Sequence, residues 1–137
     1  KYYKPELPLN LTKYLLKFAN SSIDVSDGLI DDLSKMINRQ SLSFHLFENK
    51  IPVSNKLSNF IKKQRLNKIN LTSNGDDYQV LFTAGIKKAR IIQNASKATG
   101  IKITKIGKIV SGKDRSLIFD EKGKQIRAKS KGYIHWF

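Results

Sequence analysis

Ser22-Ile23-Asp24-Val25-Ser26-Asp27-Gly28-Leu29-Ile30-Asp31-Asp32-Leu33 changes its period half-way along. Ser22 to Val25 is a short β-like run that stops at the turn sequence Ser26-Asp27-Gly28. Leu29, Ile30, Leu33, Met36 and Ile37 then fall on one face of a helix. A strand, a turn and a helix follow in quick succession, and the rest of the chain is read outward from them.

Upstream, Leu11, Tyr14, Leu15 and Phe18 have helical spacing and predict a first amphipathic helix between Pro8 and Asn20. Downstream, Phe44-His45-Leu46-Phe47 reads as a strand. Beyond Pro52, Leu57, Phe60 and Ile61 predict a helix over 54–65, with basic residues at its end that suit the helix dipole. Thr72-Ser73-Asn74-Gly75-Asp76-Asp77-Tyr78 is a turn cluster feeding a strand over 78–83. A fourth helix is expected from about Lys87, with Gly100 as its terminator. The stretch from Ile101 to Val110, which alternates with period two at its start, and Leu117-Ile118-Phe119 after the next turn predict a strand pair, and Glu121-Lys122-Gly123-Lys124 a further turn. Helices interleaved with strands, closed by hairpin-like strands, make an α+β domain on one mixed β-sheet with packed helices. The chain has no internal repeat and no low-complexity tract.

With 137 residues the chain suits a single domain with its own core. It begins at Lys1 without an initiator methionine, and residues 1–8 read as an extended lead-in, so a piece of a longer protein is expected. The absence of cysteine excludes disulfides and zinc–thiolate sites. No apolar run approaches the ~18 residues of a membrane-spanning helix, which leaves a cytoplasmic location as the default. A net charge of +15 raises nucleic acid as a partner. The lysines are spread along the chain and accompanied by many Asn and Ile, which argues against a dedicated nucleic-acid surface. A basic module for RNA or acidic surfaces is retained as the alternative from another class.

Only 11 residues are acidic, and Asp24, Asp27, Asp31 and Asp32 crowd around the first turn. Two readings are open. Asp24 at a strand end and Asp27 at a helix start can project to the same end of the sheet and offer hard oxygen ligands to Mg2+. Alternatively Ser26 or Asp27 caps the helix, and Asp31 and Asp32 sit against the positive end of its dipole. Asp24, between Ile23 and Val25, is expected to be partly buried and to need a partner. Ser26 and Gly28 add a possible phosphate site, through an exposed hydroxyl and free backbone N–H groups at a helix N-terminus. Asp76 and Asp77 beside Gly75 are open between a substrate contact and solvated turn residues. His45 and His135 have no partner spacing for zinc or a triad and are read as core or surface residues.

Taken together, Ile23-Asp24-Val25-Ser26-Asp27-Gly28-Leu29 and Asn74-Gly75-Asp76-Asp77-Tyr78-Gln79-Val80-Leu81-Phe82-Thr83 resemble thiamine-monophosphate kinases, specifically their C-terminal half. Tyr3-Lys4-Pro5, Ile106-Gly107-Lys108-Ile109-Val110 and Gly132-Tyr133-Ile134-His135 extend the resemblance over nearly the whole chain. It implies the fold shared with aminoimidazole ribonucleotide synthetase and selenophosphate synthetase, either of which remains the nearest alternative identity. It also implies ATP-dependent phosphorylation of thiamine monophosphate to thiamine diphosphate. By position in the motifs, Asp24 and Asp27 match magnesium ligands and Ser26 a residue touching ATP phosphates. Asp76 and Tyr133 match contacts to the substrate. The family's N-terminal domain, which carries most magnesium ligands, much of the ATP site and the homodimer interface, has no counterpart in these 137 residues, so the isolated chain is expected to be inactive. Asp76 stands where the family usually has Glu, Gln79 replaces Glu, Asn74 replaces Gly, and Ile134 replaces Asp.

Overall fold

Apolar residues on one face of α1, Leu9–Phe18, hand over without a loop to β1, Ala19–Asp24, in which covered and exposed residues alternate. The computed structural model of the chain describes residues 9–38, 40–72 and 79–128. β1 pairs antiparallel with β3, Val80–Ala84, placing Ile23 opposite Leu81 and Asp24 opposite Val80. The Val25 N–H donates to the Gln79 carbonyl at 2.9 Å and carries the ladder one step past the strand end.

The second sheet has four strands in the order β4-β2-β5-β6. β2, Leu42–Phe47, lies between β4, Gly107–Ser111, which is antiparallel to it, and β5, Leu117–Phe119, which is parallel. β6, Gln125–Ile126, closes the edge as a hairpin with β5. In that turn Gly123 has φ 77, and the Asp120 carboxylate accepts from the Lys122 and Lys124 N–H groups. Ser43, fully buried in β2, donates to the Gly112 carbonyl at 2.6 Å and accepts from the Arg115 N–H at 3.0 Å, fastening the turn between β4 and β5.

The larger core lies where α2, Leu29–Met36, packs on this sheet. Leu29, Ile30, Leu33 and Ile37 meet Phe44, Leu46, Ile69 and Ile118 there. Burying each such side chain is worth at most about 1.5–3 kcal/mol against an extended unfolded chain. The smaller core is built by α1 and α5, Ala89–Thr99, around Leu11, Phe18 and Ala95. The β1–β3 ribbon separates the two. Leu81 packs against the larger core and Phe82 against the smaller, as the alternation of a strand requires.

Most expected elements are present, and α5 ends at Gly100 in the left-handed conformation, φ 70. α3, Asn55–Gln64, starts at Ser54, whose hydroxyl accepts from the Leu57 N–H. Three expectations change. The described strands form a two-stranded ribbon and a four-stranded mixed sheet, not one sheet. The segments around 101–110 and 117–119 do not pair with each other: β4 and β5 flank β2 on opposite sides, and 101–106 is not a strand, although the Ile106 carbonyl accepts from the Phe47 N–H. A one-turn helix, α4, Lys68–Leu71, was not read from the sequence because four residues carry no period; Asn67 caps it by accepting from the Ile69 N–H.

Gly107 lies against β2 so closely that a Cβ there would sit 2.3 Å from the His45 carbonyl oxygen. Gly107→Ala is therefore expected to destabilise the chain by about 2–3 kcal/mol or more through overpacking against backbone. Gly85→Ala, with nothing within 4 Å, should be near neutral. Urea unfolding of the two variants side by side checks this.

Candidate functional site

The turn between β1 and α2 is organised by a residue inside the helix. Asp32 is 1% exposed, and its Oδ2 accepts from three successive backbone N–H groups: Ser26 at 2.9 Å, Asp27 at 3.0 Å and Gly28 at 3.2 Å. Gly28 is the N-cap residue, at φ 124, and has no side chain with which to cap. The Leu29 N–H donates to the Thr72 carbonyl at 3.0 Å. A buried carboxylate is tolerated here because charge-assisted hydrogen bonds and the positive end of the helix surround it.

On its other side the cluster carries a cation. Lys35 Nζ bonds Asp27, lies 2.7 Å from Asp31 Oδ2 and 3.2 Å from Asp32 Oδ1. Hydrogen bonds to Asp27 first, then Asp31, hold the Lys35 ammonium well above lysine's ordinary range, against a smaller opposing effect of burial. One oxygen from each of Asp27, Asp31 and Asp32 lies within 4.8 Å of the others. Asp27 and Asp31 are partly exposed and offer hard carboxylate oxygens of the kind Mg2+ takes, whereas Asp32 is enclosed with its Oδ2 already occupied.

The predicted site residues separate in this geometry. Asp27 stands in the acid group. Asp24 is not part of that group and is exposed at the end of β1, contrary to the expected partial burial. Strand alternation explains this, since Ile23 turns inward and Asp24 outward whatever its neighbours are. Ser26 is half-buried, and its hydroxyl makes no hydrogen bond among the described residues. The expected free N–H groups of the turn are not free, because those of Ser26, Asp27, Gly28 and Leu29 already have acceptors. Neither Ser26 nor Asp27 caps α2 with its side chain. Asp76, Tyr133 and His135 lie outside the described residues. His45 sits in β2 with its ring edge-on to Phe119 at 5.5 Å, a packing role.

Asp32 is the residue that sequence reasoning missed, grouped with Asp31 as a first-turn acid set against the helix dipole. A signal was present. At about 100° per residue, Asp32 falls roughly 60° from Leu29 and 40° from Met36, at the border of the apolar arc, whereas Asp31 falls about 160° from Leu29.

No family model matches the chain. Among curated proteins, the thiamine-monophosphate kinase of Buchnera aphidicola subsp. Acyrthosiphon pisum is 35% identical over 123 residues, covering 89% of this chain and 37% of that protein. The chain belongs to the thiamine-monophosphate kinase family. It spans between 28% and 42% of the length of curated relatives that it matches. Among solved structures, thiamine-monophosphate kinase from Stenotrophomonas maltophilia K279a superposes with a TM-score of 0.70 at 25% identity, over 89% of this chain and 37% of that one. A structure described as AaThiL complexed with AMPPCP and TMP gives 0.63 at 29% identity, over 90% of this chain and 36% of that one. The α+β fold is thus that of part of a thiamine-monophosphate kinase. No described helix is long and apolar enough to cross a membrane.

Lys35 has a side chain 45% exposed, so its ion pairs are screened by solvent and modest in strength. Its raised pKa means that the contribution is fully present below lysine's ordinary 10.5 and is lost as pH rises through the higher folded value. Lys35→Gln is expected to lower stability by less than about 1 kcal/mol at pH 7, and by less still in ~1 M salt. Urea unfolding at two ionic strengths tests this; a loss indifferent to salt would show that charge is not its cause.

Proposed function

We propose that the chain is the C-terminal domain of an ATP-dependent kinase that converts thiamine monophosphate to thiamine diphosphate in the cytoplasm, working with an N-terminal domain as a homodimer. The observation that carries this reading is the 35% identity to a thiamine-monophosphate kinase over 89% of the chain. The solved relative described with AMPPCP and TMP, at 29% identity, supports ATP and thiamine monophosphate as the two substrates. In this reading Asp24 and Asp27 are magnesium ligands, Ser26 meets the nucleotide phosphates, and Asp76 and Tyr133 contact thiamine monophosphate.

The physical chemistry of the turn supports the roles of Asp27 and Ser26. Phosphoryl transfer is mostly alignment and charge neutralisation, and magnesium held by Asp24 and Asp27 would supply the latter. Asp27 offers a partly exposed oxygen on a fixed turn, and Ser26 a hydroxyl without another partner among the described residues. With the N–H groups of 26–29 already bonded, phosphate recognition at this turn falls to side chains and cation. Two aspartates and a serine do not complete an octahedral magnesium shell around ATP. The remaining ligands are assigned to the N-terminal domain.

ADP release by the full-length parent with Mg–ATP, offered thiamine monophosphate, selenide and formylglycinamidine ribonucleotide in parallel, is expected only with thiamine monophosphate. Turnover with another acceptor would overturn the substrate reading. The 137-residue chain alone should show no appreciable turnover. Asp27→Asn in the parent should lower kcat by about a hundredfold or more while the fold is retained. Tyr133→Ala should weaken thiamine monophosphate more than ATP, read as separate Kd values.

A further inference from the structure

We propose that Asp32 is the positioning residue of this site: it holds the 26–28 turn by its backbone so that Asp27 is presented to magnesium in one orientation. The inference rests on the reading of Asp27 as a magnesium ligand. Asp32 itself has only 2% of its side chain exposed and its Oδ2 already accepts three N–H groups, so it is poorly placed to be the ligand. What it can do is fix the peptide planes on both sides of Asp27. With the N–H groups of residues 26, 27 and 28 converging on one oxygen, the backbone of the turn has little freedom, and the Asp27 Cα–Cβ direction is set by it. Groups that orient a metal ligand from behind commonly account for about 10–100-fold in metal affinity.

The anchorage of Asp32 is independent of the cation. It lies on α2, whose Leu29, Ile30 and Leu33 are in the larger core, and the Leu29 N–H is tied to the Thr72 carbonyl. The turn is therefore referenced to the core of the domain rather than to solvent. Lys35 reaches the free side of the same carboxylate, through Oδ1, and leaves Oδ2 to the turn.

The test uses the full-length protein with Asp32→Asn, which keeps the shape and removes the charge, alongside Leu11→Ala as a destabilised control on α1, in the smaller core that does not contain α2. Both are studied at a temperature where circular dichroism shows them folded. The readouts are backbone hydrogen exchange of the 26–28 peptide and the Mg2+ concentration for half-maximal binding of a non-hydrolysable ATP analogue. Asp32→Asn should speed exchange in that peptide about tenfold and raise the Mg2+ requirement roughly 10-fold, while Leu11→Ala moves neither by more than about twofold. If Asp32→Asn does not fold, Asp32→Glu, which keeps the charge but displaces it by one methylene, replaces it with the same expectation. Equal behaviour of the Asp32 and Leu11 variants would overturn the proposal. Asp27→Asn is the third arm: a raised Mg2+ requirement there, with none in the Asp32 variant, sinks the positioning role and leaves the metal reading standing. No change in Asp27→Asn removes the metal reading and the proposal with it.

Discussion

One buried carboxylate joins the two halves of this domain. β1 belongs to a ribbon that faces α1 and α5, and α2 belongs to the core on the four-stranded sheet. The chain passes from one to the other through Val25 to Gly28, and that passage is held by Asp32 from the far side. The usual capping box reaches back from the third helical residue to a single N–H; here the fourth reaches back to three. A carboxylate so enclosed would be costly without these donors, and the donors would be orphaned without it. The two requirements are met by the same three hydrogen bonds, which is why a glycine with φ 124 can stand at the helix start without a side-chain cap.

The two strands of the ribbon between the cores are covered differently, β1 on alternate residues and β3 along its length. All five residues of β3 are partly covered, and Leu81 and Phe82 serve opposite sides. Asp24 meets solvent, as Asn20 and Ser22 do, because it lies on the exposed phase of β1. A displacement of β1 by one residue would place Asp24 inward and Ile23 outward, so the same pairing that builds the ribbon also determines which acid meets solvent.

Local pattern was sufficient for the helices with several turns and for the strands that alternate. α1, α2, α3 and α5 and the turn at 120–124 follow from spacing, caps and glycine placement. The motif around Asp24–Gly28 was legible in the same way, as was its place between a strand and a helix. Pairing was not. β5 is three residues long and selects β2 in parallel, through Ser43 and Ser116 contacts that involve residues some seventy positions apart and leave no periodic trace. The role of Asp32 was half legible: its angle on the helix was available, but its three donors belong to a turn whose path depends on Thr72 and Gln79, both distant in sequence.

β2 completes both of its edges with strands that begin at Gly107 and Leu117, whereas β2 itself ends at Phe47. During synthesis at about 5–20 residues per second, β2 therefore waits several seconds with both edges open. Phe44 and Leu46, buried in the finished core, are uncovered for that interval. Pairings so far apart in sequence slow folding, and for that interval the edges of the central strand are open to a chaperone or a neighbouring nascent chain.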